Sequence, residues 1–123
     1  MSILLVEDEW LIRDVFAEGL LEAGFEVREA ENGDRAAALI EAQAERFSLL
    51  VTDINMPGRL NGIEVARLLR EHHPDIPVIY MTGRPDMLNS VSPLGVRDVL
   101  LRKPFALSEL LAAARQLLDG GAH

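Results

Sequence analysis

The stretch "LLVTDINMPG", residues 49–58, places a carboxylate directly after an apolar run. Its first three residues, 49–51, have the composition of a strand that is buried on both faces. Asp53 comes just after this run, and Pro57 with Gly58 then prevent the continuation of regular structure. An acid at the end of a buried strand is a candidate functional residue when other reactive side chains reach the same place.

The whole chain has the composition of a globular protein. Its 123 residues are 49% hydrophobic and 26% charged, which is enough for one domain with a substantial core. Twelve basic and twenty acidic residues give a formal net charge of −8, without the basic stripe of a nucleic-acid binder. The chain has no cysteine, which excludes disulfides, thiolate zinc sites and thiol catalysis. It shows neither a membrane-length apolar run nor a signal-peptide pattern, so we expect a cytoplasmic protein.

Short apolar runs alternate with segments of helical periodicity. Strands are predicted at residues 3–6, 25–29, 48–52, 77–81 and 98–101. Helical spacing of apolar residues occurs at 12–23, 36–44, 63–69 and 107–118. Residues 84–95 contain poor helix formers and an internal proline, so any helix there should be short or mobile. Five βα units in series predict an α/β fold whose parallel sheet carries helices on both faces.

The composition of the strands also predicts their order. Three runs are continuously apolar, as expected for central strands: residues 3–6, 49–51 and 78–81. Residues 25–29 alternate in polarity, which is typical of an edge strand. The pattern favours a flavodoxin-like (βα)5 fold with strand order 2-1-3-4-5. The domain is expected to span residues 1–118, followed by a short tail at 119–123.

The residues that follow the predicted strands form a polar set. In such sheets, ligands bind beyond the carboxyl ends of the strands, near the switch point between strands 1 and 3. The side chains expected there are Glu7, Asp8, Glu9, Asp53, Thr82 and Lys103. Close carboxylates repel one another unless a cation intervenes, and oxygen ligands favour a hard ion such as Mg²⁺. A hydroxyl and an ammonium can hold phosphate oxygens, so the set predicts phosphoryl transfer, in which a carboxylate can itself be the nucleophile.

Each of these residues also has a structural explanation. Asp8 or Glu9 can cap the first helix, Asp53 and Thr82 can form local turns, and Lys103 can be solvated. The functional interpretation therefore depends on the combination, because four of the five strand ends supply these residue types.

The motifs resemble the receiver domain of two-component response regulators over essentially the whole chain. The matching segments are "LLVEDE", "TDINMPG", "MTG" and "LRKPF", in the family's order. This resemblance implies that Asp53 accepts a phosphoryl group from a histidine kinase or a histidine phosphotransfer protein. It also implies that Asp8, Asp53 and the backbone carbonyl of Asn55 bind Mg²⁺ directly, while Glu7 binds it through water.

The resemblance further implies a conformational switch. Lys103, whose peptide bond to Pro104 is often cis in the family, would pair with the phosphate, and Thr82 would move inward to bond it. The change would reach the surface formed by the family's fourth helix, fifth strand and fifth helix, where a downstream protein partner binds. The family usually has Tyr, Phe or His three residues before the lysine, whereas this chain has Leu100. The aromatic half of the usual switch is therefore missing.

We accordingly predict a phosphorylation-dependent signalling switch and not an enzyme with its own small-molecule substrate. Because the family fold ends near Leu118, we expect a stand-alone receiver or a receiver taken from a longer regulator or hybrid kinase. Neither nucleic acid nor a membrane is expected as a partner.

Three alternatives remain open. The first is an interaction module that is not phosphorylated, and the second is a Mg²⁺-dependent phosphohydrolase that forms an aspartyl phosphate. That hydrolase needs an acid two residues after its nucleophile, where this chain has Asn55. The third is a flavin-binding protein, which lacks support because no Ser/Thr/Gly-rich phosphate loop follows the first strand.

Overall fold

The computed structural model describes residues 2–83 and 95–119 as a parallel sheet with helices on both faces. The strands are β1 (Ser2–Val6), β2 (Glu26–Ala30), β3 (Phe47–Asp53), β4 (Val78–Thr82) and β5 (Asp98–Arg102). The helices are α1 (Trp10–Glu22), α2 (Gly33–Gln43), α3 (Gly62–His72) and α4 (Leu107–Asp119), with a 3-10 turn at Ala44–Arg46. Within the described ranges, none of the helices has the length and apolar character needed to cross a membrane. The short helix considered at 84–95 lies, except for Gly95, outside these ranges.

The sheet has the order β2-β1-β3-β4-β5, and all four strand pairings are parallel. The predicted order is therefore confirmed. β2 lies at an edge and exposes three of its five residues, whereas β4 is buried along its whole length. β2 begins one residue later than predicted because the Phe25 N–H still bonds to the Leu20 carbonyl at the end of α1, at 3.1 Å.

Two hydrophobic clusters hold the helices on the sheet. Side chains of α2 and α3 pack on one face against residues such as Leu4 and Leu50. Side chains of α1 and α4 pack on the other face against residues such as Ile3 and Val51. Successive strand residues point to opposite faces, so each central strand feeds both clusters. The predicted two-sided coverage is confirmed.

The chain between β3 and α3 is fixed tightly against the end of the sheet. A capping box closes the start of α3, since the Asn61 side chain accepts the Glu64 N–H and the Glu64 carboxylate accepts the Asn61 N–H, both at 2.9 Å. Gly62 donates its N–H to the Ile54 carbonyl at 3.0 Å. A Cβ at Gly62 would lie 2.1 Å from the Asp53 carbonyl oxygen, so only glycine allows α3 to approach the end of β3 this closely.

Candidate functional site

Three charged side chains meet at the carboxyl end of the sheet. Glu7 follows β1, Asp53 ends β3, and Lys103 follows β5. Lys103 Nζ donates to Asp53 Oδ2 at 2.7 Å and to Glu7 Oε1 at 2.9 Å. The topology therefore brings together an ammonium and two carboxylates that are far apart in sequence.

Asp8 completes an acidic cluster at the same place. Glu7, Asp8 and Asp53 each present a carboxylate oxygen, and these oxygens all lie within 4.8 Å of one another. Glu7 is fully buried and Asp53 is 5% exposed, whereas Asp8 faces solvent. A compact set of oxygen donors that is open on one side fits Mg²⁺, which takes one or two carboxylates and keeps several waters. The cluster is thus compatible with a metal site.

The charges of the cluster depend on one another. Burial raises the pKa of Glu7 from its ordinary value of 4.5 to about 6, against hydrogen bonds from Lys103 and the Glu9 N–H that lower it. Burial lowers the pKa of Lys103, but the hydrogen bonds to Asp53 and Glu7 outweigh this effect and leave that pKa raised. Lys103 therefore stays protonated at neutral pH and offsets part of the repulsion between the carboxylates.

Local hydrogen bonds orient Asp53. The Asn55 N–H donates to Asp53 Oδ1 at 3.1 Å, which is the local turn that the structural explanation of Asp53 allows. The buried Thr52 hydroxyl donates to the Asp53 carbonyl oxygen at 3.0 Å. One carboxylate oxygen of Asp53 thus bonds to the backbone and the other to Lys103. The turn and the polar cluster coexist, because the turn is what aims Asp53.

Glu9 contributes through its backbone. It is the N-cap residue of α1, but its side chain makes no capping hydrogen bond. Its N–H instead donates to Glu7 Oε2 at 3.1 Å. The alternative explanation of Glu9, as a side-chain cap of the first helix, therefore does not hold, because no capping hydrogen bond forms and the Glu9 N–H binds the buried carboxylate of Glu7.

The residues with an expected switch role lie on β4, on β5 and just beyond β5. Thr82 ends β4 and is 2% exposed, and its carbonyl accepts the Lys103 N–H at 2.7 Å. The Lys103–Pro104 peptide bond is cis. Leu100 lies opposite Tyr80 in the β4–β5 register and packs against the core under α2 and α3. The position that is usually aromatic in the family is therefore filled by a partly buried aliphatic side chain that packs against the core.

An open cavity of about 460 Å³ gives access to the cluster. The lining residues are Asp8, Glu9, Asp53, Asn55, Met56, Pro57, Gly83 and Lys103. Residues from the ends of β1, β3, β4 and β5 thus share one solvent-accessible recess, in which the end of β4 contributes Gly83.

The sequence did not reveal one residue that contacts this site. Arg13 on α1 donates from a terminal guanidinium nitrogen to the Glu7 carbonyl at 2.9 Å, and its Nε lies 3.3 Å from Glu29 Oε1. Arg13 precedes the buried residues Ala17 and Leu20 by four and seven positions, so it continues the buried stripe of the helix. A charged side chain on the buried stripe of α1 is the sequence feature that could have identified Arg13.

Known proteins are similar to this chain in sequence and in fold. A family model described as the response regulator receiver domain matches residues 3–115. The response regulator MprA of Mycobacterium avium is 40% identical over 119 residues, which cover 96% of this chain and 51% of that protein. The transcriptional regulatory protein CusR of Escherichia coli K12 is 38% identical over 124 residues, which cover 99% of this chain and 53% of that protein.

A solved structure agrees along nearly the full length. The response regulator receiver protein of Sinorhizobium medicae superposes with a TM-score of 0.88 at 33% identity, covering 97% of this chain and 94% of that one. The chain spans about half the length of the two regulators above. The chain therefore belongs to the response regulator receiver domain family of two-component signalling.

Proposed function

We propose that this receiver domain accepts a phosphoryl group on Asp53 in a Mg²⁺-dependent reaction and so acts as a signalling switch. The observation that carries the proposal is the position of Lys103 Nζ, 2.7 Å from Asp53 Oδ2, within an acidic cluster. That arrangement pairs a nucleophile with a cation beside an open cavity. Positioning and charge neutralisation of this kind supply most of the catalysis in phosphoryl transfer.

Asp53 supplies the nucleophilic oxygen. A carboxylate oxygen of Asp53 attacks the phosphorus, the bond from phosphorus to the donor breaks, and the donor leaves with the electron pair. The Asn55 N–H holds Oδ1 at 3.1 Å and Lys103 holds Oδ2 at 2.7 Å. The carboxylate is therefore fixed in orientation before the donor arrives, which reduces the entropic barrier of the reaction.

Four residues would hold the metal. Asp8 and Asp53 would bind it through carboxylates, Asn55 through its backbone carbonyl, and Glu7 through a water molecule. Mg²⁺ bound there would neutralise charge on the phosphoryl oxygens during transfer. The carboxylate oxygens of Glu7, Asp8 and Asp53 lie within 4.8 Å of one another, which supports their part in this assignment. The roles of the Asn55 carbonyl and of the water at Glu7 are those that the resemblance to receiver domains implies.

Lys103 and Thr82 would recognise the phosphoryl group after transfer. Formation of the acyl phosphate moves the negative charge from the Asp53 carboxylate onto the phosphate oxygens, and the ammonium of Lys103 would follow it. The Thr82 hydroxyl, at the adjacent strand end, would bond a second oxygen. Because position 100 is a leucine that packs against the core, we propose that the signal reaches β5 through Thr82 and the backbone of Lys103, without rotation of an aromatic side chain.

The proposed phosphoryl donor and the proposed downstream binding partner are both proteins. A histidine kinase or a histidine phosphotransfer protein would supply the phosphoryl group, and a downstream protein would recognise the altered surface in the cytoplasm. The net charge of −8 argues against direct contact of this receiver with the phosphates of nucleic acid. We do not propose turnover of a phosphate ester, because Asn55 cannot protonate a leaving group.

Intact-mass measurement tests the proposal. The protein is incubated with acetyl phosphate and Mg²⁺, beside an Asp53→Asn variant, a chelator-treated sample and an Asp14→Asn variant, which alters an exposed acid on α1. We expect one added phosphoryl group in the wild type and in Asp14→Asn, and none in the other two samples. A wild type that gains no phosphoryl group, and whose Trp10 fluorescence does not respond to beryllofluoride, would overturn the proposal.

A further inference from the structure

Arg13 links three elements around the acidic cluster. It lies on α1, its guanidinium bonds the Glu7 carbonyl at 2.9 Å just past β1, and its Nε lies 3.3 Å from the Glu29 carboxylate on β2. The Arg13 side chain is only 19% exposed. A long cationic side chain held this way is ordered at both contacts, which favours a fixed role over a solvated one.

The bond to the Glu7 carbonyl satisfies a buried backbone group. Glu7 is fully buried and its N–H bonds to the Ala30 carbonyl at 3.1 Å. Since β1 ends at Val6, the Glu7 carbonyl lies beyond the ladder, and Arg13 supplies a hydrogen bond to it. A buried carbonyl without a partner would instead tilt toward water, because leaving it unsatisfied costs about 1–3 kcal/mol.

The same carbonyl belongs to the peptide that leads into Asp8. The orientation of that peptide plane, together with the φ angle of Asp8, sets the direction in which the Asp8 side chain leaves the backbone. The other side of the turn is already fixed, because the Glu9 N–H bonds to Glu7 Oε2 at 3.1 Å and Lys103 bonds to Glu7 Oε1 at 2.9 Å. Arg13 therefore adds a further hydrogen bond that restrains this turn, at the Glu7–Asp8 peptide.

We propose that Arg13 is a positioning residue for the metal site, which fixes the Glu7–Asp8 peptide so that Asp8 points at the ion held with Asp53. This inference rests on the proposed function, in which Mg²⁺ binds at Asp8 and Asp53. Arg13 itself touches neither the ion nor the phosphoryl group in this account.

The direction in which Mg²⁺ affinity changes when Arg13 is replaced distinguishes positioning from simple electrostatics. Arg13 carries a positive charge near a cation site, so its loss would tighten Mg²⁺ binding if only charge mattered. If Arg13 instead orients the Asp8 carboxylate, its loss weakens Mg²⁺ binding. Residues that orient metal ligands typically affect affinity by about 10–100-fold. The two explanations therefore predict opposite changes in the dissociation constant.

Calorimetric titration with Mg²⁺ at pH 8 tests this inference. The samples are the wild type, Arg13→Met, Arg13→Lys and the matched control Glu29→Gln, which breaks the ion pair but leaves the bond to the Glu7 carbonyl. Urea unfolding in chelator records the stability of each variant separately. The rate of phosphorylation by acetyl phosphate at saturating Mg²⁺ completes the set.

We expect Arg13→Met to weaken Mg²⁺ binding on the order of tenfold, Arg13→Lys to weaken it less, and Glu29→Gln to change it by less than about twofold. Saturating Mg²⁺ should restore the phosphorylation rate of Arg13→Met. An unchanged or tighter affinity in Arg13→Met would overturn the inference, and if that variant does not fold, wild-type affinity in Arg13→Lys would overturn it. A wild type that binds no Mg²⁺ would instead overturn the proposed function itself, and the inference with it.

Discussion

Lys103 Nζ lies 2.7 Å from Asp53 Oδ2 and 2.9 Å from Glu7 Oε1, so one ammonium joins the ends of β1, β3 and β5. Glu7 and Asp53 are both buried, and a nearby cation favours the state in which two buried carboxylates this close are both ionised. The same ammonium faces the open cavity that lies over Asp53. Structural and chemical roles therefore coincide in Lys103.

Replacement of Lys103 by Met should affect metal binding and phosphorylation in opposite directions. Removal of the positive charge leaves the carboxylates more attractive to Mg²⁺, so affinity at pH 8 should rise on the order of tenfold. The phosphorylation rate should fall roughly a hundredfold, since a group that stabilises developing charge is lost. Calorimetry and the time course of acetyl phosphate modification measure the two effects. Arg102→Met, at the neighbouring exposed position, should leave both near wild type, and an unchanged rate in Lys103→Met would contradict the assignment.

The raised pKa of Glu7 predicts a pH dependence of stability in chelator. The pKa is about 6 in the fold against an ordinary value of 4.5, so between these values the folded state binds a proton that the unfolded chain has released. The free energy of unfolding should therefore fall as pH rises from 4.5 to 7, by about 2 kcal/mol from this group. The raised pKa of Lys103 adds no change here, because that group stays protonated in both states over this range.

Comparison with Glu7→Gln isolates this contribution. Urea unfolding at several pH values should show the wild type losing about 2 kcal/mol relative to the variant between pH 4.5 and 7. Parallel pH profiles for the two proteins would show that Glu7 titrates normally.

Gly62→Ala should destabilise the fold strongly. The new Cβ would lie 2.1 Å from the Asp53 carbonyl oxygen and 2.9 Å from Thr52 Oγ1, so α3 or the end of β3 must shift, at a cost of about 3 kcal/mol. Gly83→Ala is the matched substitution, since its Cβ would meet only Lys103 side-chain atoms at 3.7 Å or more. Its effect should stay below about 1 kcal/mol. Urea midpoints give both values, and equal midpoints would contradict the close approach at Gly62.

The ion pair between Arg70 on α3 and Asp98 on β5 should contribute far more than the pair between Arg59 and Asp34. The Asp98 side chain is 7% exposed, and it also accepts the Gly95 N–H at 2.9 Å. Asp98→Asn leaves the partly buried guanidinium without its counter-charge, which should cost about 3 kcal/mol. Arg59 and Asp34 are 3.6 Å apart and mostly exposed, so Arg59→Gln should cost less than about 0.5 kcal/mol. Thermal unfolding of the two variants compares them directly, and equal losses would be inconsistent with the burial of Asp98.

The sequence was sufficient to predict the sheet because burial on two faces leaves a simple pattern. Continuous apolar runs predicted β1, β3 and β4 as central, and alternation placed β2 at the edge. Since parallel strands end at the same edge of a sheet, the strand ends also identified Glu7, Asp53 and Lys103 as neighbours.

The sequence pattern does not predict contacts that depend on how far a side chain reaches. Periodicity cannot show that the Arg13 guanidinium bends back to a carbonyl six residues earlier, or that Gly62 touches the carbonyl of the candidate nucleophile. Both depend on how far apart helix and strand lie, which packing decides. The backbone role of Glu9 was missed for the same reason. The sequence pattern of a helix-capping residue does not show whether its N–H also donates to a buried carboxylate, as it does here to Glu7.

The most direct test of the central claim is to locate the phosphoryl group chemically. Protein treated with Mg²⁺ and acetyl phosphate is reduced with borohydride, which converts an aspartyl phosphate to homoserine, and its peptides are sequenced by mass spectrometry. We predict homoserine at position 53, dependent on both Mg²⁺ and the phosphodonor. Reduction at Asp8, or phosphoryl incorporation that persists in Asp53→Asn, would contradict the assignment of Asp53 as the phosphoacceptor.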